Sequence, residues 1–187
     1  RSIWANDPAY GTAPEWVSDT VRHRIAPFMR RHGLSGETTV DFGAGDGRYL
    51  VEMQKRGLCR MGIGIDYHKP NPMPRGLLWF AQDMGEPVPY KGKANFVISC
   101  DALEHVCGIT LNETIKNMRA AAPHGWARVS LVDDTYGKAR GLPLPLHETL
   151  MTAHEWLILF THWSIKPLEY RVYLEESGRQ RALEIGW

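Results

Sequence analysis

The stretch that decides the fold is Thr38-Thr39-Val40-Asp41-Phe42-Gly43-Ala44-Gly45-Asp46-Gly47. Its first half is apolar and β-branched, as a buried strand requires, and it ends in the acid Asp41. The glycines at 43, 45 and 47 then permit a tight turn, and a helix is predicted from Arg48 to Arg56. A ligand in such a turn can approach bare backbone near the positive end of the helix dipole. The stretch therefore predicts a ligand-binding strand–turn–helix unit.

The spacing of the glycines selects the class of ligand. A dinucleotide fingerprint needs the pattern G-x-G-x-x-G, but its third glycine would fall on Arg48. The pattern present is acid-x-G-x-G-x-G, which resembles the first motif of the class I S-adenosylmethionine (SAM) dependent methyltransferases. In that family the glycine turn packs against the methionine part of the cofactor. The resemblance implies that this part is held by Asp41, Gly43, Ala44, Gly45 and Gly47.

A second acidic residue follows the glycine turn at a characteristic distance along the chain. The short apolar run 61–66 predicts a buried strand that ends in Asp66, 20 residues after Asp46. At about this distance a nucleotide-binding αβ unit presents a carboxylate to the ribose hydroxyls. The family resemblance implies the same role for Asp66, and it places Tyr67 beside the adenine ring.

A third predicted strand, 76–81, leads to Asp83 and Met84. With the following Pro87-Val88-Pro89-Tyr90, this segment resembles the D-x-x-x-L-P-F stretch of small-molecule methyltransferases. In those enzymes the acid receives the adenine amino group. The resemblance therefore implies that Asp83 and Met84 contact adenine.

The segment Cys100-Asp101-Ala102-Leu103-Glu104-His105-Val106 resembles the D-V-L-E-H-V signature that ends strand 4 in many class I enzymes. The resemblance places Asp101 beside the cofactor, with Glu104 and His105 near the reacting groups. A hydroxyl or ammonium acceptor must also lose a proton, so a general base is needed. The candidates are Glu104, His105 and His147, followed by Asp133 and Tyr10.

The remaining pattern extends the resemblance to the fold. Strands are predicted at 38–41, 61–66, 76–81, 94–99, 127–132, 164–174 and 181–187, and helices at 14–31, 48–56, 111–122 and 152–161. The expected fold is α/β, a seven-stranded, mostly parallel, Rossmann-like methyltransferase sheet. We expect helices between the first five strands and on both faces, and an antiparallel strand 7. One domain would span 1–187, with a lead-in and cleft-covering helix in 1–35 and a substrate loop in 135–147.

Composition narrows the partners. A formal net charge of +1 argues against a surface built for nucleic acid, although Lys138, Arg140, Arg22 and Arg24 could form a local basic rim. Three cysteines without zinc-site spacing predict reduced thiols and a cytoplasmic location. No run reaches the roughly 18 apolar residues of a membrane span, so no membrane partner is expected, and no secretory leader is visible. The oligomeric state is left open.

Three functions remain open from the sequence. The first is metal-free methyl transfer from SAM to an O or N of a small-molecule acceptor. The second is metal-assisted O-methylation of an RNA 2′-hydroxyl or a catechol-like acceptor, with Mg²⁺ or Mn²⁺. Its ligands would be Asp101, Glu104, His105 and His147, a set that resembles the E-x-x-E-H…H ligands of small-RNA 3′-end 2′-O-methyltransferases and the E-x-x-E-H of ubiquinone-pathway O-methyltransferases. The third is a SAM-binding subunit without turnover.

Overall fold

A single sheet of seven strands organises the computed structural model, which describes residues 14–89, 91–133 and 146–187. The strand order is β3-β2-β1-β4-β5-β7-β6, with parallel pairing from β3 through β5. β7 runs antiparallel to both β5 and β6. The strands are β1 Gly36–Phe42, β2 Cys59–Asp66, β3 Leu77–Ala81, β4 Phe96–Cys100, β5 His124–Ser130, β6 Glu169–Leu174 and β7 Gln180–Gly186. This confirms the predicted mixed sheet with strand 7 antiparallel.

Helices cover both faces of the sheet. The first helix, α1, comprises Pro14–Thr20, a π-helical segment Val21–Ile25, and Ala26–Arg31. With α2 (Arg48–Lys55) it buries one face, where Ile25, Phe28 and Leu50 pack against the strands. The opposite face carries α3 (Gly108–Ala121) and α4 (Ala153–His162). α4 begins at the capping box predicted for Thr152 and Glu155.

The central strands are buried on both faces, which explains their unbroken apolar runs. Phe96, Val97 and Ile98 of β4 are all fully buried, and their side chains alternate between the two helical layers. Helices on either side of parallel strands leave little room for carboxylate side chains except near the strand ends. Acids in this sheet are therefore informative where they occur at the carboxyl edge.

Several boundaries differ from those predicted. β6 begins at Glu169 rather than 164, because the chain closes α4 with left-handed backbone at Ser164 (φ 60) and a hydrogen bond from Ile165 N to the Phe160 carbonyl. β5 starts and ends earlier than 127–132, and α3 starts earlier than 111. In the described residues no α-helix joins β2 to β3 or β3 to β4, which corrects the expectation of helices between all the first five strands.

Some predicted features lie outside the described residues, namely the lead-in 1–13 with Tyr10, residue 90, and most of the substrate loop together with Lys138 and Arg140. The three cysteines are free. Within the described ranges, every helix is too short or too polar to cross a membrane.

Candidate active site

The site lies where the carboxyl ends of β1, β2 and β4 meet. Strand order reverses between β1 and β4, because β2 and β3 lie on one side of β1 while β4 and β5 lie on the other. Open α/β sheets bind ligands in the crevice outside such a switch point. The predicted cofactor residues Asp41 and Asp66 lie at the ends of β1 and β2.

The glycine turn is built from three left-handed residues, with φ of 78° at Gly43, 57° at Gly45 and 80° at Gly47. The amides of Gly43 and Ala44 donate to the Ile65 carbonyl at 2.9 and 3.1 Å, which ties the turn to the end of β2. A Cβ at Gly43 would clash with the Cβ of Ala102, whereas one at Gly45 would meet nothing within 4 Å. The turn therefore packs closely at its first glycine and leaves open space at its second.

Asp41 is a buried acid with an unmet hydrogen bond. Its side chain is 1% exposed, and its Oδ2 has no partner among the described residues. Burial raises the pKa of Asp41 well above its usual value, and the charges of Asp66 and Asp46 raise it further. An orphaned carboxylate oxygen beside an open glycine turn fits the ammonium group of an aminoacyl ligand, the class to which the methionine part of SAM belongs.

Asp66 faces the same turn from the end of β2. Its Oδ2 accepts a hydrogen bond from the Gly45 amide at 2.9 Å, and its Oδ1 accepts one from the His68 amide at 3.2 Å. Burial raises the pKa of Asp66, while these two bonds act in the opposite direction. The carboxylate is therefore oriented toward the glycine turn, as a ribose-binding acid would have to be.

The predicted adenine residues also come together. The hydroxyl of Tyr67 donates to Oδ2 of Asp83, and the Gly85 amide donates to Oδ1 of Asp83 at 2.7 Å. The bond to Asp83 is the main reason that the pKa of Tyr67 is raised to about 12. Met84 lies beside the glycine turn, with its sulfur 3.5 Å from the position of a Cβ at Gly43. Tyr67 itself is 64% exposed, so its ring is available to flank a planar ligand.

A second group lies beyond the end of β4, on a single 3₁₀ turn at Leu103–His105. Glu104 is 1% exposed; its Oε1 accepts from the Ser130 amide at 3.1 Å, and its Oε2 has no partner in the described part of the chain. Burial first, and the nearby charge of Asp101 second, raise the pKa of Glu104 to about 8. A second buried acid therefore carries an orphaned oxygen.

Two histidines complete this group. Nδ1 of His105 lies 2.8 Å from the Leu146 carbonyl, and Nδ1 of His147 lies 2.7 Å from the Val132 carbonyl. Because a carbonyl only accepts, each Nδ1 carries the proton, and the lone pair of each neutral ring is on Nε2. The ring centroids are 4.9 Å apart, and one ligand atom each from Glu104, His105 and His147 lies within 4.8 Å of the others. The structure thus brings together the three predicted catalytic residues.

Comparison with known proteins agrees with this geometry. A family model described as a methyltransferase domain matches residues 15–178. The chain belongs to the class I SAM-dependent methyltransferases. No curated protein matches the chain in sequence at a significant level.

Solved structures share the fold of this methyltransferase at low sequence identity. A SAM-dependent methyltransferase from Archaeoglobus fulgidus is 13% identical, with 96% of each chain covered and a TM-score of 0.69. The methyltransferase domain of bacterial CtHen1 is 10% identical, with 91% of this chain and 98% of that one covered and a TM-score of 0.66. The 1,6-didemethyltoxoflavin-N1-methyltransferase of Burkholderia thailandensis, solved with its substrate and S-adenosylhomocysteine (SAH), is 15% identical, with 100% and 80% covered and a TM-score of 0.65.

Sequence reasoning missed Arg128 in this methyltransferase. Its Nη1 donates to both carboxylate oxygens of Asp101, at 2.7 and 2.6 Å. Asp101 therefore has a partner already, and the cluster at His147 contains three of the four residues considered as metal ligands. An arginine inside the apolar β5 run was the available signal, since buried charge in a strand needs a partner. Asp133, a lower-ranked base candidate, is exposed beyond β5.

Proposed function

We propose that this methyltransferase transfers the methyl group of SAM to an oxygen or nitrogen of a small-molecule acceptor. One observation carries the proposal. Asp41 has a buried, unpartnered Oδ2 two residues before the glycine turn, whose second glycine, Gly45, has open space around it, at the switch point of the sheet. A ligand that carries both an ammonium group and a nucleoside would match the polar groups along this edge of the sheet, from Asp41 to Asp83.

Each part of the cofactor has a residue of matching chemistry. Asp41 would accept from the ammonium group, while Gly43, Ala44, Gly45 and Gly47 let the methionine chain lie against the backbone. Asp66 would accept from the ribose hydroxyls, because a carboxylate accepts two donors at once. The adenine ring would be bound by the group of Tyr67, Asp83 and Met84.

The protein itself has to contribute little to the chemistry of methyl transfer. Bound SAM supplies a methyl group that already carries a good leaving group, so the protein mainly aligns donor and acceptor and excludes water. The proton of a hydroxyl or ammonium acceptor would go to Nε2 of His105 or His147. Burial raises the pKa of Glu104 to about 8, and in its protonated form this residue would donate a hydrogen bond from the orphaned Oε2 to a polar atom of the acceptor.

One fold neighbour supports a small-molecule acceptor, and a methyl-transfer assay tests it. The B. thailandensis neighbour is solved with bound 1,6-didemethyltoxoflavin, and this chain covers 80% of it. We expect purified protein to bind SAH in calorimetry and to transfer a tritiated methyl group from SAM to at least one member of a panel of small phenols, catechols and amines. Absence of SAH binding would overturn the proposal. Binding without transfer to any acceptor is the result expected of a non-catalytic subunit.

The cluster of Glu104, His105 and His147 favours metal-assisted O-methylation as a second candidate. Both imidazoles are oriented by Nδ1–carbonyl hydrogen bonds, as metal-binding histidines commonly are. The orphaned Oε2 of Glu104 supplies a carboxylate oxygen. Two imidazoles with one carboxylate suit Mn²⁺ better than Mg²⁺, which prefers oxygen ligands. A bound ion would lower the pKa of an acceptor hydroxyl.

The two candidates differ in one measurement. Metal-assisted transfer predicts that Mn²⁺ binds in calorimetry and raises the transfer rate to a catechol, and that both effects disappear in Glu104→Ala. Metal-free transfer predicts the same rate with Mn²⁺ and with EDTA. Comparison of a catechol with a short RNA bearing a free 2′-hydroxyl then separates the two acceptor classes.

A further inference from the structure

The residue after β4 has an unusual backbone. Asp101 adopts φ 50°, in the left-handed region that only glycine enters freely. Non-glycine residues held there cost on the order of 1–3 kcal/mol and persist where their surroundings fix them. Asp101 also immediately precedes the segment that carries Glu104 and His105. The interactions that hold the backbone of Asp101 therefore also set the positions of Glu104 and His105.

Arg128 of β5 supplies that restraint through three hydrogen bonds. Its carbonyl accepts from the Asp101 amide at 2.9 Å, and its Nη1 donates to both carboxylate oxygens at 2.6 and 2.7 Å. Charge-assisted bonds in a partly buried site are stronger than neutral ones. The exposed fractions are only 23% for the Arg128 side chain and 28% for that of Asp101, so water screens the pair weakly.

Arg128 is itself held rigidly. It sits within β5, between Cys100 of β4 and Glu184 of β7. Its guanidinium carbon lies 5.0 Å from the ring centroid of Trp16 on α1, a cation–π contact. The restraint on Asp101 thus comes from the centre of the sheet and from the helix that covers it.

β5 also holds the far end of the same turn. The Ser130 amide, two residues beyond Arg128, donates to Glu104 Oε1. The Glu104 carbonyl in turn accepts from the amides of Glu148 and Thr149 at 2.9 and 3.0 Å, directly after His147. One strand therefore fixes the start of the turn through Arg128 and its middle through Ser130, and the turn then fixes the segment that contains His147.

We propose that Arg128 is a positioning residue, which acts through the left-handed Asp101 to hold Glu104, His105 and His147 in register for transfer. The inference rests on the proposed function for the roles of those three side chains. It assigns Asp101 to the support of the catalytic group rather than to the cofactor. Arg128 touches neither cofactor nor acceptor in this assignment.

Hydrogen–deuterium exchange of the full chain with and without SAH tests the proposal, using Arg128→Gln. We expect the amides of His105, Val106, Glu148 and Thr149 to exchange at least about tenfold faster, while the amides of β1 and β2 stay within about twofold. The Kd for SAH should stay within about threefold of wild type, because in this proposal the Arg128–Asp101 pair does not contact the cofactor. The control is Arg60→Gln, which removes an exposed ion pair with Glu37 and should change neither region.

A glycine at position 101 provides the decisive comparison. Glycine adopts φ 50° without strain, so the backbone at position 101 should not need Arg128 to hold it in Asp101→Gly. Adding Arg128→Gln to Asp101→Gly should then change exchange at 105–106 and 148–149 by less than about twofold.

Three results would overturn the assignment of Arg128. These are unchanged exchange at 105–106 and 148–149, an equal rise across the whole sheet, and a loss of SAH affinity as large as the change in exchange. If wild type itself fails to bind SAH, the proposed function fails instead, and the exchange rates still decide the role of Arg128.

Discussion

The carboxyl edge of the sheet has two halves that are built in different ways. The β1–β3 half consists of the glycine turn with Asp41, Asp66 and Asp83. The β4–β5 half consists of Asp101, Glu104, His105 and His147. In the first, Asp66 and Asp83 each bind an amide two residues ahead, and the longest hydrogen-bonded link, from the Gly43 amide to the Ile65 carbonyl, spans 22 residues. In the second, links span 26 residues to Ser130 and 41 from His105 to Leu146.

This difference separates what a local motif can specify from what only the assembled sheet can. A glycine turn forms from its own backbone preferences, so a short sequence specifies it. The catalytic group forms only when β4, β5 and the segment at 146–149 have come together. We therefore expect that the two halves respond independently to substitution.

The largest effect is expected from Gly43→Ala. The added Cβ would clash with Ala102 in a backbone conformation that alanine resists, and Ala102 directly follows Asp101 of the β4–β5 half. SAH affinity should fall by at least about a hundredfold in calorimetry, since both the turn and its packing move. The matched control is Gly57→Ala, with φ 68° and open space around the Cβ, which should cost only about 1 kcal/mol in urea unfolding. Equal SAH binding by the two variants would contradict the close packing at Gly43.

A smaller but more selective effect is expected from Asp66→Asn. Loss of a charged acceptor for the ribose hydroxyls should weaken SAH binding by about 10- to 100-fold. For the metal-assisted candidate, the same variant should bind Mn²⁺ as wild type does. Weakened Mn²⁺ binding in Asp66→Asn would show that the two halves are coupled.

The reciprocal change is His147→Ala. Removal of one imidazole should weaken Mn²⁺ binding by at least about tenfold and leave the Kd for SAH within about threefold. Isothermal calorimetry with each ligand alone measures both effects. An equal loss of SAH affinity in His147→Ala would contradict the proposed independence of the two halves.

The smallest effect concerns the pH dependence of stability. Because the folded pKa of Asp41 lies above its usual 3.8, its stabilising contribution is full below that pH and is lost as pH rises through the folded pKa. Asp41→Asn cannot ionise, so its stability relative to wild type should rise as the pH increases from 4 to 7. Urea unfolding of both proteins across this range measures the difference, and parallel curves would contradict it.

The sequence predicted where the strands, the glycine turn and the acids of the β1–β3 half lie, and the reason is physical. Glycine positions and the acids at or just after the strand ends are local signals with local consequences, as the capping box of α4 is elsewhere in the chain. The fold class followed from the same signals together with the apolar runs. The group of Glu104, His105 and His147 could be proposed from its motif, but the sequence could not show that Asp101 pairs with Arg128. That pairing depends on the register between β4 and β5. The start of β6 was wrong because the apolar run after Ser164 gives no sign of its left-handed turn.

The π-helical segment Val21–Ile25 gives α1 a change of phase in mid-helix. A π turn accommodates one residue more than an α turn, so the two α-helical parts of α1 are rotated relative to a continuous helix by about 100°, the angle of one residue. Eleven residues separate Val17 from Phe28, so the two would lie about 20° apart on a regular α-helix and lie roughly 80° apart with this offset, yet both are buried in the same core cluster. A deletion of one residue from 21–25 would restore a regular helix and turn Trp16 away from Arg128 while Phe28 stayed in the core. The extra residue thus widens the arc of α1 that is buried, from Val17 to Phe28.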